Sequence, residues 1–228
     1  MTTRASEPED ISINIPESLT KLVYRFLEKE IIEGRFESGV RLIPEELANR
    51  LSVSKSPVRE ALLYLEREGL VTNKPRIGFF VANIKIDDIE EIYPIRASLN
   101  ALTIRIIIEK GYESDFIPLL EAILSKMEDR VREGDINGFF YLNIQLYDFL
   151  LSRCPNDRLT EMLNQLGKQV LRFRRLGMTI PGRIESSLER HKKLVEAIKN
   201  MDVLSSTRIA KEIIYGGLEA LRSLLGKE

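Results

Sequence analysis

Apolar residues recur at helical spacing through most of the chain, and each change of period marks a change of element. Leu19, Val23, Phe26, Leu27 and Ile31 form one stripe, which Gly34 ends. Pro44 suits the first turn of a helix, where its missing N–H leaves no gap, and Leu47 and Leu51 follow one turn apart. Ser52-Val53 interrupts the pattern. Ser54 is placed as an N-cap, and Pro57 is still inside the first turn. Val58, Ala61, Leu62 and Leu65 then stand at i, i+3, i+4 and i+7 before Gly69. Two short helices with a tight polar break between them are expected. The period next shortens. Leu70-Val71-Thr72 and Phe79-Phe80-Val81 read as strands around Lys74-Pro75-Arg76-Ile77-Gly78, which predicts a hairpin.

From about Ile84 the helical period returns and holds. Asp87 and Asp88 open a helix carrying Ile89, Ile92, Ile95, Arg96, Leu99 and Leu102 as far as Gly111. Five more helices are expected, over about 115–133, 135–152, 157–176, 186–200 and 203–225. The breaks fall at Gly134, at Cys154-Pro155, over residues 177–182 and at residues 200–202. Short connections and 3.6-residue stripes predict an antiparallel bundle. The fold class is therefore mainly α: a winged helix-turn-helix over residues 16–83, then an all-α antiparallel helical bundle over 84–228. Residues 1–15 are polar and acidic, lack the apolar core of a signal peptide, and are expected to be a disordered tail.

The second short helix carries the chemistry of the N-terminal part. Lys55, Ser56 and Arg59 lie off its apolar stripe, near its N-terminus, and Ser54 precedes them. Backbone N–H groups there attract phosphate, and the side chains can reach base edges. Lys74 and Arg76 sit at the hairpin tip, and Gly78 permits close backbone approach. These seven residues are the candidate DNA contacts. Arg41 and Arg67 are expected to serve as surface or intradomain partners.

The segment Leu19–Val81 resembles the DNA-binding domain of GntR-type transcription regulators. The likeness is carried by Ile32-Glu33-Gly34, Gly39-Val40-Arg41-Leu42, Glu46-Leu47-Ala48, the run Val53 to Leu62, Leu65 to Val71, and Arg76 to Val81. Ser52 departs from the Gly usual in the family and predicts a slightly strained turn. Lys55 replaces the commoner Arg, which moves contact there toward phosphate. The later helices are similar to the FCD domain of the FadR subfamily through Arg96-x-x-Leu99, Glu189-Arg190-His191, Leu194-Val195-x-Ala197-Ile198 and Asp202. That resemblance implies a homodimeric, effector-controlled regulator. Many such domains hold a divalent metal through one Asp and three His. Carried over, those positions fall at Asn143, Tyr147, His191 and near Ile213, and only the histidine is a good ligand. Asp148 lies about 100° around the helix from Tyr147. No metal and no cofactor are therefore expected. Arg96, Asn143, Tyr147, Arg172, Arg175 and His191 are instead expected to line a metal-free pocket for a small, anionic effector. The competing picture makes Tyr147 and His191 hydrogen-bonded core residues and Arg172 to Arg175 a solvated helix end.

Composition narrows the partners. The 228 residues are 43% hydrophobic and 30% charged, and no apolar run approaches the ~20 residues of a membrane span. The single cysteine, Cys154, excludes an intrachain disulfide and fits a cytoplasmic protein. The net charge of −1 is weak for a DNA binder. Residues 1–83 hold 12 basic and 13 acidic side chains, and only residues 51–83 turn positive, at +2. Affinity must then come from a local basic surface used twice, by a homodimer on a palindromic operator. The expected protein is a ligand-responsive transcription repressor. An enzyme fused to a DNA-targeting head is the main rival, but no histidine cluster, paired carboxylates or nucleophile motif supports one. An effector-free architectural DNA-binding protein is the other.

Overall fold

The structure, a computed structural model, describes residues 18–83 and 85–226, so the tail expected over residues 1–15 lies outside the described residues. The first helix, α1, spans Leu19–Ile32, and the Ser18 hydroxyl caps it by accepting from the Lys21 N–H. Val23, Leu27 and Ile31 point into the core, but Leu19 is 48% exposed. Four-residue steps advance 400°, so three of them leave Leu19 about 120° from Ile31, off the buried face.

Helices α2 (Pro44–Leu51) and α3 (Lys55–Arg67) form the helix-turn-helix. The break between them closes with Val53 N–H donating to Ala48 O at 3.0 Å, the long bond of a Schellman turn. Its left-handed position is Ser52, at φ 54 and ψ 43. Three antiparallel strands complete the head: β1 (Arg41–Leu42), β2 (Val71–Lys74) and β3 (Gly78–Val81), in the order β1-β3-β2. The hairpin is the expected one; β1 is an addition, since two residues are too few to show a period of two. In the central strand Phe79 and Val81 face the core, where they meet Leu27, Leu62 and Leu65. The hairpin turn runs Lys74–Ile77, with Ile77 N–H donating to Lys74 O at 3.0 Å. Pro75 takes the second position and Arg76, at φ 63, the third: a type II turn with arginine where glycine is favoured.

The bundle comprises α4 (Ile86–Lys110), α5 (Phe116–Glu133), α6 (Ile136–Ser152), α7 (Asp157–Gln169), α8 (Leu171–Gly177), α9 (Arg183–Lys199) and α10 (Val203–Leu225). Two boundaries differ from expectation. Helix α9 starts three residues early, directly after Gly182 in the left-handed region at φ 75. The single helix expected over 157–176 is two helices, broken at Val170. Val170 is fully buried with Ile89, Tyr93, Ala97, Ile214, Leu218 and Leu221, whereas Leu171 joins the main core of α4 to α10. The break thus falls where the chain passes from one cluster to the other.

The head rests on the bundle through the C-terminal ends of α1 and α3. Ile32, the last residue of α1, is buried in the bundle's core, and Tyr141 donates to the Glu33 carboxylate at 3.1 Å. Arg172 donates to Ser38, Arg175 reaches the Glu33 carbonyl at 3.5 Å, and Lys168 pairs with Glu68 after α3.

Ser52 offers a direct test of the turn. The left-handed conformation costs an L-residue about 1–2 kcal/mol, and glycine returns part of that as chain entropy. Ser52→Gly should stabilise the protein by about 1 kcal/mol, raising Tm by roughly 2–4 °C. An unchanged or lowered Tm in thermal denaturation would show that the turn is not strained.

Candidate functional site

Ser54, Lys55, Ser56 and Arg59 are all exposed on the outer side of α3, because Val58, Ala61, Leu62 and Leu65 occupy the inner side. Ser54 holds the N-cap position with extended backbone, but its hydroxyl makes no capping bond. Both the hydroxyl and the first-turn N–H groups of α3 are thus open to an incoming phosphate. Lys55 is ion-paired with Glu45 in the first turn of α2, and that hydrogen bond holds the Glu45 carboxyl below its usual range. Ser56 donates to Glu60 at 3.3 Å. Arg59 has no ion-pair partner among the described residues.

At the wing, Lys74 Nζ lies 4.8 Å from the centroid of the Phe80 ring, and Arg76 is exposed at the turn's outermost position. Gly78, at φ 121, has a backbone that favours glycine. Arg41 donates to the Ile77 carbonyl at 2.5 Å and so braces the turn from within the head. Arg67 lies over the Tyr64 ring.

The bundle holds a polar layer between its two apolar clusters, and Tyr147 packs against both. His191 is fully buried. Its Nδ1–H donates to Ser187 O at 2.6 Å, and its Nε2 accepts from Asn143 Nδ2 at 3.1 Å. Asn143 Oδ1 in turn accepts from Arg174 at 3.0 Å. Every polar atom of that chain is used with the imidazole neutral. Burial drives the His191 pKa down to about 4, helped by Arg183 and Arg174 nearby.

Three guanidinium groups gather around this chain: Arg96 from α4, Arg174 from α8 and Arg183 from α9. Burial lowers the pKa of each, and none forms an ion pair among the described residues. Arg96 is 4% exposed, and its Nε has no hydrogen-bond partner; the Tyr147 hydroxyl is likewise buried and unpartnered. Burial and then Arg174 bring Arg96 down to about 10, which still leaves it charged at neutral pH. A buried charge without a partner is costly, and an anion placed there removes the cost. A cavity of about 40 Å³ opens among Arg96, Arg174, Arg183, Tyr93 and Tyr147, with room for a carboxylate-sized group. Arg96, Tyr147 and Arg174 also wall a larger cavity, of about 290 Å³, between bundle and head.

The donor set does not fit a divalent metal. Both nitrogens of His191 are committed, Ile213 offers no donor, and a guanidinium stands 3.0 Å from the Asn143 oxygen. Asp148 lines the larger cavity, which Arg96 and Arg174 share, and not the smaller one beside His191. Among the described residues no three His, Cys, Asp or Glu side chains converge.

Of the six residues expected around an effector, Arg96, Asn143, Tyr147 and His191 meet in this layer. Arg172 and Arg175 do not. They sit on the outer faces of α8, where Arg172 reaches Ser38 and Arg175 reaches Asn137 and the Glu33 carbonyl. Arg174, between them, is the one that turns inward. A signal existed: Arg174 is three residues after Leu171, so the two share a helix face, and Leu171 is core. Arg183 lay outside every expected helix and carried no such signal.

A neutral His191 predicts an acid limb in stability. Its folded pKa is depressed, so its contribution is intact above about pH 6.5 and is lost as pH falls toward 4, by about 3 kcal/mol in all. Glu28 and Asp148, raised by burial, slope the other way, so the difference between wild type and His191→Gln isolates the effect. The variant should lose less stability than wild type between pH 6.5 and 4 in denaturant titrations; parallel curves would show a charged or solvated His191. In the same assays at pH 7, chelator and added Zn²⁺ should leave Tm unchanged, since no metal-binding free energy is linked to folding.

Comparison with known proteins agrees with both halves of this geometry. Residues 19–81 match the bacterial regulatory proteins of the gntR family, and residues 91–215 match the FCD domain. The HTH-type transcriptional regulator YdhC of Bacillus subtilis is 29% identical over 84% of this chain and 85% of its own length. The HTH-type transcriptional regulator McbR of Escherichia coli is 27% identical over 90% and 93%. The gluconate operon transcriptional repressor of Bacillus subtilis is 27% identical over 77% and 74%. The solved structure of E. coli McbR/YncC superposes with a TM-score of 0.80 at 25% identity, covering 92% of this chain and 99% of that one. These relatives regulate transcription and are not enzymes. The chain belongs to the GntR family of transcriptional regulators: a DNA-binding winged head joined to an FCD domain.

Proposed function

We propose that this regulator is a ligand-responsive repressor. It binds a palindromic operator as a homodimer and is controlled by a small anionic effector in its helical domain. Residues 16–83 act as the DNA-reading unit and residues 84–228 as the unit for effector binding and dimerisation. The observation that carries the effector reading is the buried Arg96 with its unpartnered Nε, flanked by the half-buried Arg174 and Arg183, none of them in an ion pair among the described residues. A purely architectural bundle gains nothing from burying that charge. A carboxylate or phosphoryl group would complete it, with Tyr147 as a further donor.

Dimerisation is supported by α4. Ile92, Ile95, Leu99, Leu102 and Ile106 alternate at three- and four-residue steps, and Ile95 and Leu102 are 48% and 41% exposed. Ile92, Leu99 and Ile106 line the edges of the two bundle clusters, while Ile95 and Leu102 stand out from them as an apolar ridge suited to a second copy. The need is electrostatic as well. Residues 51–83 carry only +2, so one head gives little phosphate affinity and two on a palindrome multiply it. Half-sites should then lie about one helical turn of DNA apart or less. The repressor's response is linkage: an effector favouring one seating of the heads changes their joint affinity for the operator. The absence of any helix long and apolar enough to cross a membrane among the described residues fits a cytoplasmic site of action.

A duplex selected by the protein from random DNA tests the DNA reading. Arg59 projects from the exposed face of α3 without a partner, so Arg59→Ala should cost about 1–3 kcal/mol per half-site at fixed salt. Sedimentation of the same complex should show two chains per duplex. Unaltered affinity removes Arg59 from the interface, and a single bound chain defeats the palindrome.

The effector reading has its own test. In a thermal-shift screen of small carboxylates and phosphates, at least one should raise the wild-type Tm, and Arg174→Gln should lose that response. A hit that survives Arg174→Gln places the anion elsewhere.

A further inference from the structure

The larger cavity, about 290 Å³, is not walled by the bundle alone. Helix α1 contributes Glu28 and Ile32, and the C-terminal half of α7 contributes Asn164, Gly167 and Lys168. That part of α7 has two neighbours. On one side is the cavity, and on the other is the end of α3. Lys168 Nζ is ion-paired with Glu68, the C-cap of α3, and donates to the Tyr24 hydroxyl at 3.2 Å. Gln169 packs so closely on Gly69 that a Cβ there would meet its Cγ at 2.9 Å. Among the described residues, Lys168 makes the bundle's only hydrogen bond or ion pair to α3 or its cap.

We propose that the seam cavity is a ligand compartment shared by head and bundle, and that Lys168 carries its occupancy to the recognition helix. A carboxylate or phosphoryl oxygen of the ligand takes Lys168 Nζ from Glu68, and the C-terminal end of α3 is released from the bundle. The inference rests on the effector reading above. It adds where the rest of the molecule lies, and which bond it exchanges.

The chemistry of the seam supports the exchange. The Tyr24 hydroxyl lies 2.7 Å from Glu28 and 2.6 Å from Glu68, yet has one hydrogen to donate. Two acidic side chains therefore compete for one hydroxyl beside the Lys168 ammonium, and the Lys168–Glu68 pair is one of several exchangeable contacts there. Swapping Glu68 for a ligand oxygen trades one ion pair for another of similar exposure, so a small differential affinity decides the equilibrium. The break at Val170, at φ −102 and ψ 5, lets α7 shift without carrying α8 along.

The test needs no effector. Amide exchange over residues 65–70 and affinity for the selected duplex report on α3. Lys168→Met should speed that exchange and change duplex affinity, each by about fivefold or more, the scale of a partly buried pair. Asn164→Glu sets a carboxylate one turn before Lys168 in the cavity wall, as an internal substitute for the ligand oxygen, and should act in the same direction. Met162→Glu adds the same charge to α7 at an exposed position outside the cavity and should match wild type. The charge swap Lys168→Glu with Glu68→Lys should return both readings to within about twofold of wild type. Wild-type behaviour of Lys168→Met or of Asn164→Glu, or a swap that fails to restore, overturns the proposal and leaves the arginine-layer reading standing. A wild-type protein that responds to no anion in the thermal-shift screen fails that reading and takes this one with it.

Discussion

Unpaired positive charge inside the helical domain is the constraint on which the rest of this structure turns. Three guanidinium groups sit between two apolar clusters, and none of them forms an ion pair among the described residues. The surroundings respond to that charge throughout. His191 stays neutral, Asn143 turns its oxygen toward Arg174, and the Tyr93 and Arg96 side chains lie one over the other. A domain optimised for stability alone would fill this layer with aliphatic side chains, since replacing buried charge with well-packed apolar groups is neutral or better.

The same layer is at odds with a metal set. A dication and three guanidinium groups cannot share one cavity, because each like charge raises the cost of the others. Asn143, Tyr147 and Ile213 are residues compatible with a positive surround.

How much of this was readable in the sequence depended on how local the signal was. The stripe from Val58 to Leu65 dictates which side of α3 is buried, and therefore that Lys55, Ser56 and Arg59 face out. The wing was readable because Pro75 and Gly78 punctuate it. Strand β1 was not, because its two residues pair only through β3, some forty positions away. The break at Val170 was not readable either, since it answers to two separate clusters that the sequence cannot place. Arg172 and Arg175 face outward on α8 while Arg174 faces inward, and only the spacing of Arg174 from the buried Leu171 marks that difference in the sequence. Four of the six expected pocket positions still converge, since α4, α6 and α9 kept their phases.

The ion pair between Lys55 and Glu45 bears on how the head reads salt. An ammonium that reaches a DNA phosphate displaces one condensed cation from the duplex, contributing about 0.9 to the slope of log affinity against log salt. On this head, the Lys55 ammonium would first have to leave the Glu45 carboxylate to reach a phosphate. That carboxylate, left beside a polyanion, would favour uptake of a cation from solution, so the net release at Lys55 would be smaller than for a free ammonium. Counterion counting on this head would therefore underestimate the number of phosphates it touches.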